Sequence, residues 1–399
     1  LKTLWIDVSA VSENDLRTGI ERVTRAVARG LLDRPLPGYR VELVRLARSG
    51  YVTANTLAYQ LLNIPELQHE HVVIPQCGDM FLGLDLVGDR LLEAEDWFIN
   101  ARRHGLLIFF IVYDLLPISH PEFFPSGSQN WFSNWLHQIA LLANGLICIS
   151  QNTAGELLKW LDENTPKLPA LPKITWCRLG ADLETTNPSM GISENEPKIL
   201  ERVSSAPTFL MVGTIEPRKA HAQILAAFEI LWEIGKLNIN LVVVGKEGWK
   251  GVLDQDRVYI NNLANRLHSH SELGRHLFWL ENTSDEFLSI LYANCQALIA
   301  GSWAEGFGLP LVEASRFGIH IIARDIPVFR EIGGDNLFYF RADTPEEVAL
   351  EICKWLKHYQ LNDLPPTGRI PIQTWDQCCE EIISSILHYR IYRKFNEYD

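Results

Sequence analysis

Two kinds of hydrophobic run alternate along the chain, and the alternation is clearest in its second half. Short, nearly unbroken apolar stretches recur at TFLMVGTI (208–215), INLVVVGK (239–246), LFWL (277–280), ALIAGS (297–302) and IHIIA (319–323). Between them apolar residues return with the 3.6-residue period of a helix, at 220–235, 257–272, 285–294 and 310–317. A continuous apolar run of strand length is buried on both faces, and strands alternating with helices pack as a parallel sheet between helical layers. The first half repeats the pattern less regularly. TLWIDVS, HVVIP, LLIFFIVYD, GLICIS and ITWCRL read as strands, and helices are predicted near 19–32 and 153–162.

Between the halves lies ETTNPSMGISENEPKILERVSSAPT (184–208), polar, rich in turn formers and without an aromatic residue, which reads as a linker. The chain closes on TWDQCCEEIISSILHYRIYRKF (374–395), a helical pattern separate from the second sheet. The expected architecture is α/β: two Rossmann-like, doubly wound domains, 1–190 and 191–376, facing a cleft. A C-terminal helix, 377–399, is expected to return to the first domain.

A length of 399 residues with 47% hydrophobic content supplies material for two cores. The longest apolar run, GLLIFFIVYDLLP, is broken by Asp114 and falls short of the ~18 residues that cross a bilayer. The opening LKTLWIDVSA already reads as structural, so no secretory leader is expected; the missing initiator Met suggests a chain trimmed or cut from something longer. A net charge of -13 excludes general nucleic-acid binding, which requires a basic footprint. The seven cysteines include no C-x-x-C pair, and most lie in apolar segments as buried, reduced thiols of a cytoplasmic protein do. The adjacent Cys378 and Cys379 read as helix packing.

In doubly wound sheets ligands bind where strands end and loops lead into helices. The first such junction is VGTIEPRKAH (212–221). Gly213 lets the backbone turn and Pro217 fixes it, and Arg218 and Lys219 then precede a helix. Two cations oppose the positive end of the helix dipole unless an anion sits between them. A diphosphate suits the pair, Arg as a fork and Lys as a point charge; a solvated basic turn is the plainer alternative. The second junction is WAEGFGLPLVEAS (303–315). Pro310 suits the first turn of a helix. Gly306 and Gly308 remove side chains where a ligand could touch backbone N–H groups. Glu305 precedes the helix and Glu313 lies inside it. Were both helical they would stand ~12 Å apart along the axis, too far for the carboxylate pair of a glycoside hydrolase at ~5–9.5 Å. The two acids therefore suit different parts of one long ligand.

The order GTIEPRK, VVVGKEGW, LENTSDEFLSILYANCQALI, EGFGLPLVEA resembles the nucleotide-sugar domain of retaining glycosyltransferases of family four, whose two Rossmann-like domains form the GT-B arrangement. The family's E-x7-E hallmark is matched by Glu305 and Glu313, and the resemblance covers 206–350. More weakly, DVSAVSENDLRTGIERVTRAVARGLL, FIVYDLLPISHPEFFP, ICISQNTAGEL and CRLGAD resemble bacterial polysaccharide mannosyl- and rhamnosyltransferases. The resemblance implies that Arg218 and Lys219 neutralise the donor diphosphate, that Glu313 binds the ribose and that Glu305 binds the transferred sugar. It implies backbone contacts to sugar and phosphate from Phe307, Gly308 and Leu309, and base contacts from Asn282 and Thr283. Across the cleft, Gly19 would approach the diphosphate and Asp114 would face the reacting sugar and acceptor. Two positions depart from the pattern. Thr214 stands where many members carry Arg, a role Arg218 would take over, and Tyr113 stands where many carry His before the acid.

The implied activity is metal-independent hexosyl transfer with retention, in the cytoplasm or peripherally at the inner face of the plasma membrane. The donor is a nucleotide sugar, with no further cofactor; GDP-mannose is favoured over dTDP-rhamnose and UDP-sugars. The acceptor is a glycan or a lipid-linked glycan in surface-polysaccharide synthesis. A nucleotide-sugar 2-epimerase of similar fold would need no acceptor and would lack this E-x7-E segment. A non-catalytic sugar-nucleotide binding module would bind without turnover.

Other signals carry less. GKEGWKG (245–251) is not the dinucleotide fingerprint, and DQD (254–256) reads as a solvated turn. His268 and His270 lack cysteine partners for zinc. In helix 19–32, Ile20, Val23, Val27 and Leu31 share one face and Arg22, Arg25 and Arg29 the other, expected to be solvated or, on a sharper reading, to meet a lipid diphosphate or anionic membrane.

Overall fold

The structure, a computed structural model, describes all residues except 15–18, 35, 49, 66–68, 166–171, 184–190, 192, 194–195 and 389–399. Parts of the expected linker and of the closing helical pattern therefore lie outside the described residues. The chain divides into two compact units. One comprises Leu1–Ser119, Gly127–Gly180 and the chain from Gln373; the other comprises His120–Ser126 and Ala181–Ile372. The divides fall ahead of the boundaries at 190 and 376 expected from sequence.

The first unit runs β1 (Lys2–Asp7), α1 (Ser9–Glu13), α2 (Gly19–Asp33), β2 (Tyr39–Ala47), β3 (Gly50–Thr53), α3 (Asn55–Leu62), β4 (Met80–Gly83), α4 (Glu95–Arg103), β5 (Leu107–Val112), α5 (Leu116–Ser119), α6 (Ser128–Leu142), β6 (Gly145–Cys148), α7 (Gln151–Asn164) and β7 (Lys173–Trp176). Its strands lie in the order β3-β2-β1-β4-β5-β6-β7, parallel except for the β2–β3 hairpin at one edge. Two expectations fail here. HVVIP is not a strand: Val72 makes only an isolated bridge, and Val72 and Ile74 are 67% and 71% exposed. The strand that fills the sheet is MFLG, β4, buried at every position. Phe81 on β4 meets Tyr51, Phe98 and Phe110 edge-on at 5.0–5.9 Å, which ties β3, α4 and β5 into one aromatic core. The arginine face of α2 also fails as a unit. Arg25 is buried, whereas Arg29 pairs with Asp33 at the surface.

The second unit runs α8 (Glu196–Val203), β8 (Thr208–Val212), α9 (His221–Glu233), β9 (Asn240–Val244), α10 (Val258–His268), β10 (Leu277–Leu280), α11 (Asp285–Asn294), β11 (Ala297–Ala300), α12 (Leu309–Arg316), β12 (His320–Arg324), α13 (Pro327–Gly333), β13 (Phe338–Phe340) and α14 (Pro345–Gln360). All its strands are parallel, ordered β10-β9-β8-β11-β12-β13. Both faces are covered, and the strand centres are correspondingly apolar. Phe209 on β8 packs edgewise on Phe228 of α9 and Trp355 of α14 at 5.4 and 5.2 Å. A capping box, Thr344 with Glu347, starts α14.

The last helix, α15 (Trp375–His388), belongs to the first unit. Cys379 lies 3.7 Å from the Val27 carbonyl on α2, and the Glu381 carboxylate accepts the Arg178 N–H at 3.1 Å. Five of the seven cysteines are buried and all are free thiols. In each sheet the strand order turns outward at one place, between β1 and β4 and between β8 and β11, and ligands of such folds gather there.

Candidate active site

At the turning point of the second sheet, the loops after β8 and β11 converge. The loop after β8 passes close to the end of β9. Gly213 and Gly245 have φ of 150° and 153°, and a Cβ at Gly245 would stand 2.1 Å from the Gly213 carbonyl oxygen. Packing alone thus demands glycine here. Pro217–Lys219 form a single 3-10 turn, Ala220 adopts a left-handed conformation, and α9 begins. The loop after β11 is joined to it by a backbone hydrogen bond, Trp303 N–H to the Arg218 carbonyl, 2.8 Å.

The anion between the two cations is Glu305. Arg218 Nη1 donates to its Oε2 at 2.6 Å, Lys219 Nζ and the Ser302 hydroxyl (2.7 Å) donate to its Oε1, and Arg218 Nε reaches Glu216 at 3.0 Å. The Glu305 side chain is 9% exposed, Lys219 13% and Arg218 17%. Burial alone would raise the Glu305 pKa, but the charges of Arg218 and Lys219 prevail and hold it at about 2. Burial lowers the Lys219 pKa, against the opposing pull of Glu305. His221 opens α9 fully buried; burial and the Lys219 charge bring it down to about 3, so its ring is neutral. The ring faces the Gly213 carbonyl, and neither nitrogen completes a hydrogen bond.

Beyond Glu305 the chain turns into α12. Gly306, Phe307 and Gly308 are buried. Gly308 caps the helix at φ 110°, where a Cβ would also strike the Phe329 ring at 2.8 Å. Chain geometry thus requires this glycine before any ligand does. The N–H groups of Phe307, Gly308 and Leu309 have no acceptor among the described residues. Glu313, one turn inside α12, is 2% exposed and accepts a 2.8 Å hydrogen bond from Tyr292 of α11. No local sequence pattern points to this partner. Asn282 and Thr283 follow β10, exposed and half-buried, just ahead of Ser284, whose hydroxyl caps α11. Among the described residues no cluster of three or more metal-ligating side chains occurs.

This constellation lies within residues 192–364, which match the family described as Glycosyl transferases group 1. Residues 192–364 form a group 1 glycosyltransferase domain. Over 389 residues the chain is 38% identical to the serotype-specific mannosyltransferase WbdA of Escherichia coli, covering 96% of this chain and 46% of that protein. The chain therefore spans about half the length of the curated relatives it matches first. It is 21% identical to the O-antigen chain mannosyltransferase B of Escherichia coli, over 74% of each chain. Among solved structures, Anabaena Alr3699/HepE in complex with UDP-glucose superposes with a TM-score of 0.65 at 17% identity, covering 96% of this chain and all of that one (100%). Sucrose-phosphate synthase from Thermosynechococcus elongatus gives 0.62 at 14% identity, covering 98% and 97%. The fold is that of the two-domain GT-B glycosyltransferases.

The remaining residues expected at the site lie outside the glycosyltransferase domain, in the first unit. Gly19 opens α2; a Cβ there would meet nothing within 4 Å among the described residues, so packing does not explain it. Asp114 follows β5, and its Oδ1 accepts the Leu116 N–H at 3.1 Å. Tyr113 is buried, its hydroxyl donating to the Leu84 carbonyl at 2.8 Å, so it does not stand in for a ligand-facing His. Two buried acids escaped the sequence reading. Asp7 ends β1 and accepts from Ser9 N–H (3.0 Å), Ser9 Oγ (2.5 Å) and Tyr51 Oη (3.0 Å). Asp85, past β4, accepts from Val11 N–H (2.7 Å) and Leu86 N–H (3.0 Å). Burial raises Asp7 to about 7 and Asp85 to about 6. The only signal was an Asp ending an apolar run, in WIDVS.

Among the described residues no helix is long and apolar enough to cross a membrane.

Proposed function

We propose that the chain is a retaining, metal-independent glycosyltransferase that moves mannose from GDP-mannose to a glycan or lipid-linked glycan in O-antigen-type polysaccharide synthesis. One observation carries the reading: a deeply buried carboxylate, Glu305, clamped by Arg218, Lys219 and Ser302 where the second sheet turns outward. The names of its mannosyltransferase relatives support mannose as the sugar.

Without a ligand the two cations are neutralised by Glu216 and Glu305. In the donor complex Glu305 turns to the hydroxyls of the transferred sugar, and Arg218 and Lys219 face the diphosphate. Those two charges, with amides of Phe307, Gly308 and Leu309 and the backbone turn at Gly213 and Gly306, stabilise the developing phosphate charge, so the reading needs no metal. Glu313 holds the ribose and Asn282 and Thr283 the base, while Gly19 admits the diphosphate and Asp114 orients the acceptor. The bond from the sugar C1 to the β-phosphate oxygen breaks, the acceptor oxygen bonds to C1 on the same face, and its proton passes to the departing phosphate. Protein groups contribute positioning and charge. In this reading the reaction runs in the cytoplasm, with peripheral contact at the inner face of the membrane through the acceptor.

A donor panel tests it. GDP-mannose, dTDP-rhamnose, UDP-glucose, UDP-galactose and UDP-N-acetylglucosamine are each incubated with wild type and Glu305→Ala, with and without acceptors, and nucleotide release is followed. The expected result is consumption of GDP-mannose by wild type alone and only with acceptor. Acceptor-independent release of a changed sugar would indicate an epimerase, and tight binding with no turnover on any acceptor a binding module.

A further inference from the structure

Arg324, the last residue of β12, is a cation buried to 4% exposure with no carboxylate in ion-pair range among the described residues. Burying a charge costs several kcal/mol unless it is compensated, and here each of its three nitrogens donates to a neutral group. Nε donates to the Gly301 carbonyl at 2.8 Å, Nη1 to the Ala342 carbonyl at 2.6 Å and Nη2 to the Gln223 side-chain oxygen at 2.5 Å. Gln223 in turn donates to the Ala342 carbonyl at 3.3 Å. The Trp303 ring covers the guanidinium, with its centroid 3.5 Å away.

These contacts lead to the clamp from both sides. Gly301 and Trp303 flank Ser302, which donates to Glu305, and Trp303 N–H holds the Arg218 carbonyl. Gln223 lies in the first turn of α9, just past Arg218 and Lys219. A planar fork with fixed donor directions sets both loops relative to each other; an ammonium on a flexible stem would not. We propose that Arg324, stacked under Trp303, is a positioning residue that fixes Glu305 against its two cations and thereby sets recognition of the transferred sugar. The inference rests on the reading that Glu305 binds that sugar.

The test compares the dissociation constants of GDP and GDP-mannose, by calorimetry, for wild type, Glu305→Gln, Arg324→Gln, Arg324→Lys and the double variant Glu305→Gln/Arg324→Gln. The readout is the ratio of the two constants, which cancels effects on the nucleotide half and on overall folding. Glu305→Gln should shift the ratio against the sugar by about tenfold, the scale of one charged hydrogen bond. Arg324→Gln should shift it in the same sense by a comparable factor, and the double variant no further than either single one. Arg324→Lys, with charge but no fork, should behave as Arg324→Gln. A wild-type ratio in Arg324→Gln or Arg324→Lys, or additive shifts in the double variant, overturns the inference while leaving the Glu305 reading intact. No shift in Glu305→Gln overturns the reading itself. If Arg324→Gln fails to fold, Gln223→Ala removes one contact of the fork; it should shift the ratio about threefold in the same sense, and an unchanged ratio overturns the inference.

Discussion

The two sheets place acids at the same topological point and treat them oppositely. Where β8 and β11 part, Glu305 meets two cations and a hydroxyl and its pKa is held at about 2. Where β1 and β4 part, Asp7 and Asp85 hydrogen-bond, among the described residues, with backbone amides and hydroxyls alone, and burial lifts them to about 7 and about 6. The partners of the second-unit acid are charges, which on the proposed reading a diphosphate takes over. The first-unit acids bond the amides of Ser9 and Val11 and hold α1 against the ends of β1 and β4. Position in the fold marks where chemistry can occur; the partners of the charge decide whether it handles a ligand or holds a loop.

The largest effect should come from removing the second-unit charge. Glu305→Gln is expected to lower transfer by about 10²–10³-fold, the scale of losing one preorganised group at the reacting centre. The free variant should melt lower than wild type, since Lys219 loses its carboxylate and Arg218 one of its two, and GDP should raise its melting temperature more than it raises that of wild type. Surviving transfer, or equal stabilisation by GDP, would break the contrast.

The pH dependence of stability sharpens it next. Folded Asp7 keeps its proton to about 7 against an ordinary 3.8, so its contribution to stability falls as pH rises between those values. Glu305, lowered from 4.5 to about 2, contributes fully above its ordinary value and loses that contribution as pH falls toward 2. In urea titrations from pH 4 to 8, Asp7→Asn should therefore gain on wild type as pH rises. A difference independent of pH would show that Asp7 is ionised throughout.

Smaller still is the effect of Tyr292→Phe, which takes one donor from the buried Glu313. It should cost about 1.5–3 kcal/mol in urea unfolding and weaken GDP binding several-fold. At the bottom of the scale, Asp254→Asn in the exposed turn before α10 should change stability by less than about 0.5 kcal/mol and leave transfer unaltered.

What was legible in the sequence follows from burial. The strands of the second sheet are covered on both faces, so NLVVV and ALIA announce themselves as unbroken apolar runs. One strand in from the edge of the first sheet, β2 interleaves Arg40, Glu42 and Arg45 with apolar residues and gives no such run, while HVVIP mimics one with Val72 and Ile74 in the open. Both junctions of the second unit were located from Gly, Pro and charge. The identity of the anion was not, because Glu305 lies 86 and 87 positions from its cations and no local pattern joins them. Arg324 was equally hidden: it follows the apolar run IHIIA with no local pattern to mark it, and only the fold brings Gly301, Ala342 and Gln223 around it.

The central claim is that the Glu305 clamp performs retaining mannosyl transfer. Its most direct test is an NMR time course of GDP-mannose with a mannose-terminated acceptor in the presence of EDTA, for wild type beside Glu305→Gln. The account predicts that wild type builds an α-linked product, keeping the anomeric configuration of the donor, and that the variant builds almost none. A β-linked product, or an α-linked product formed at equal rate by the variant, would contradict it.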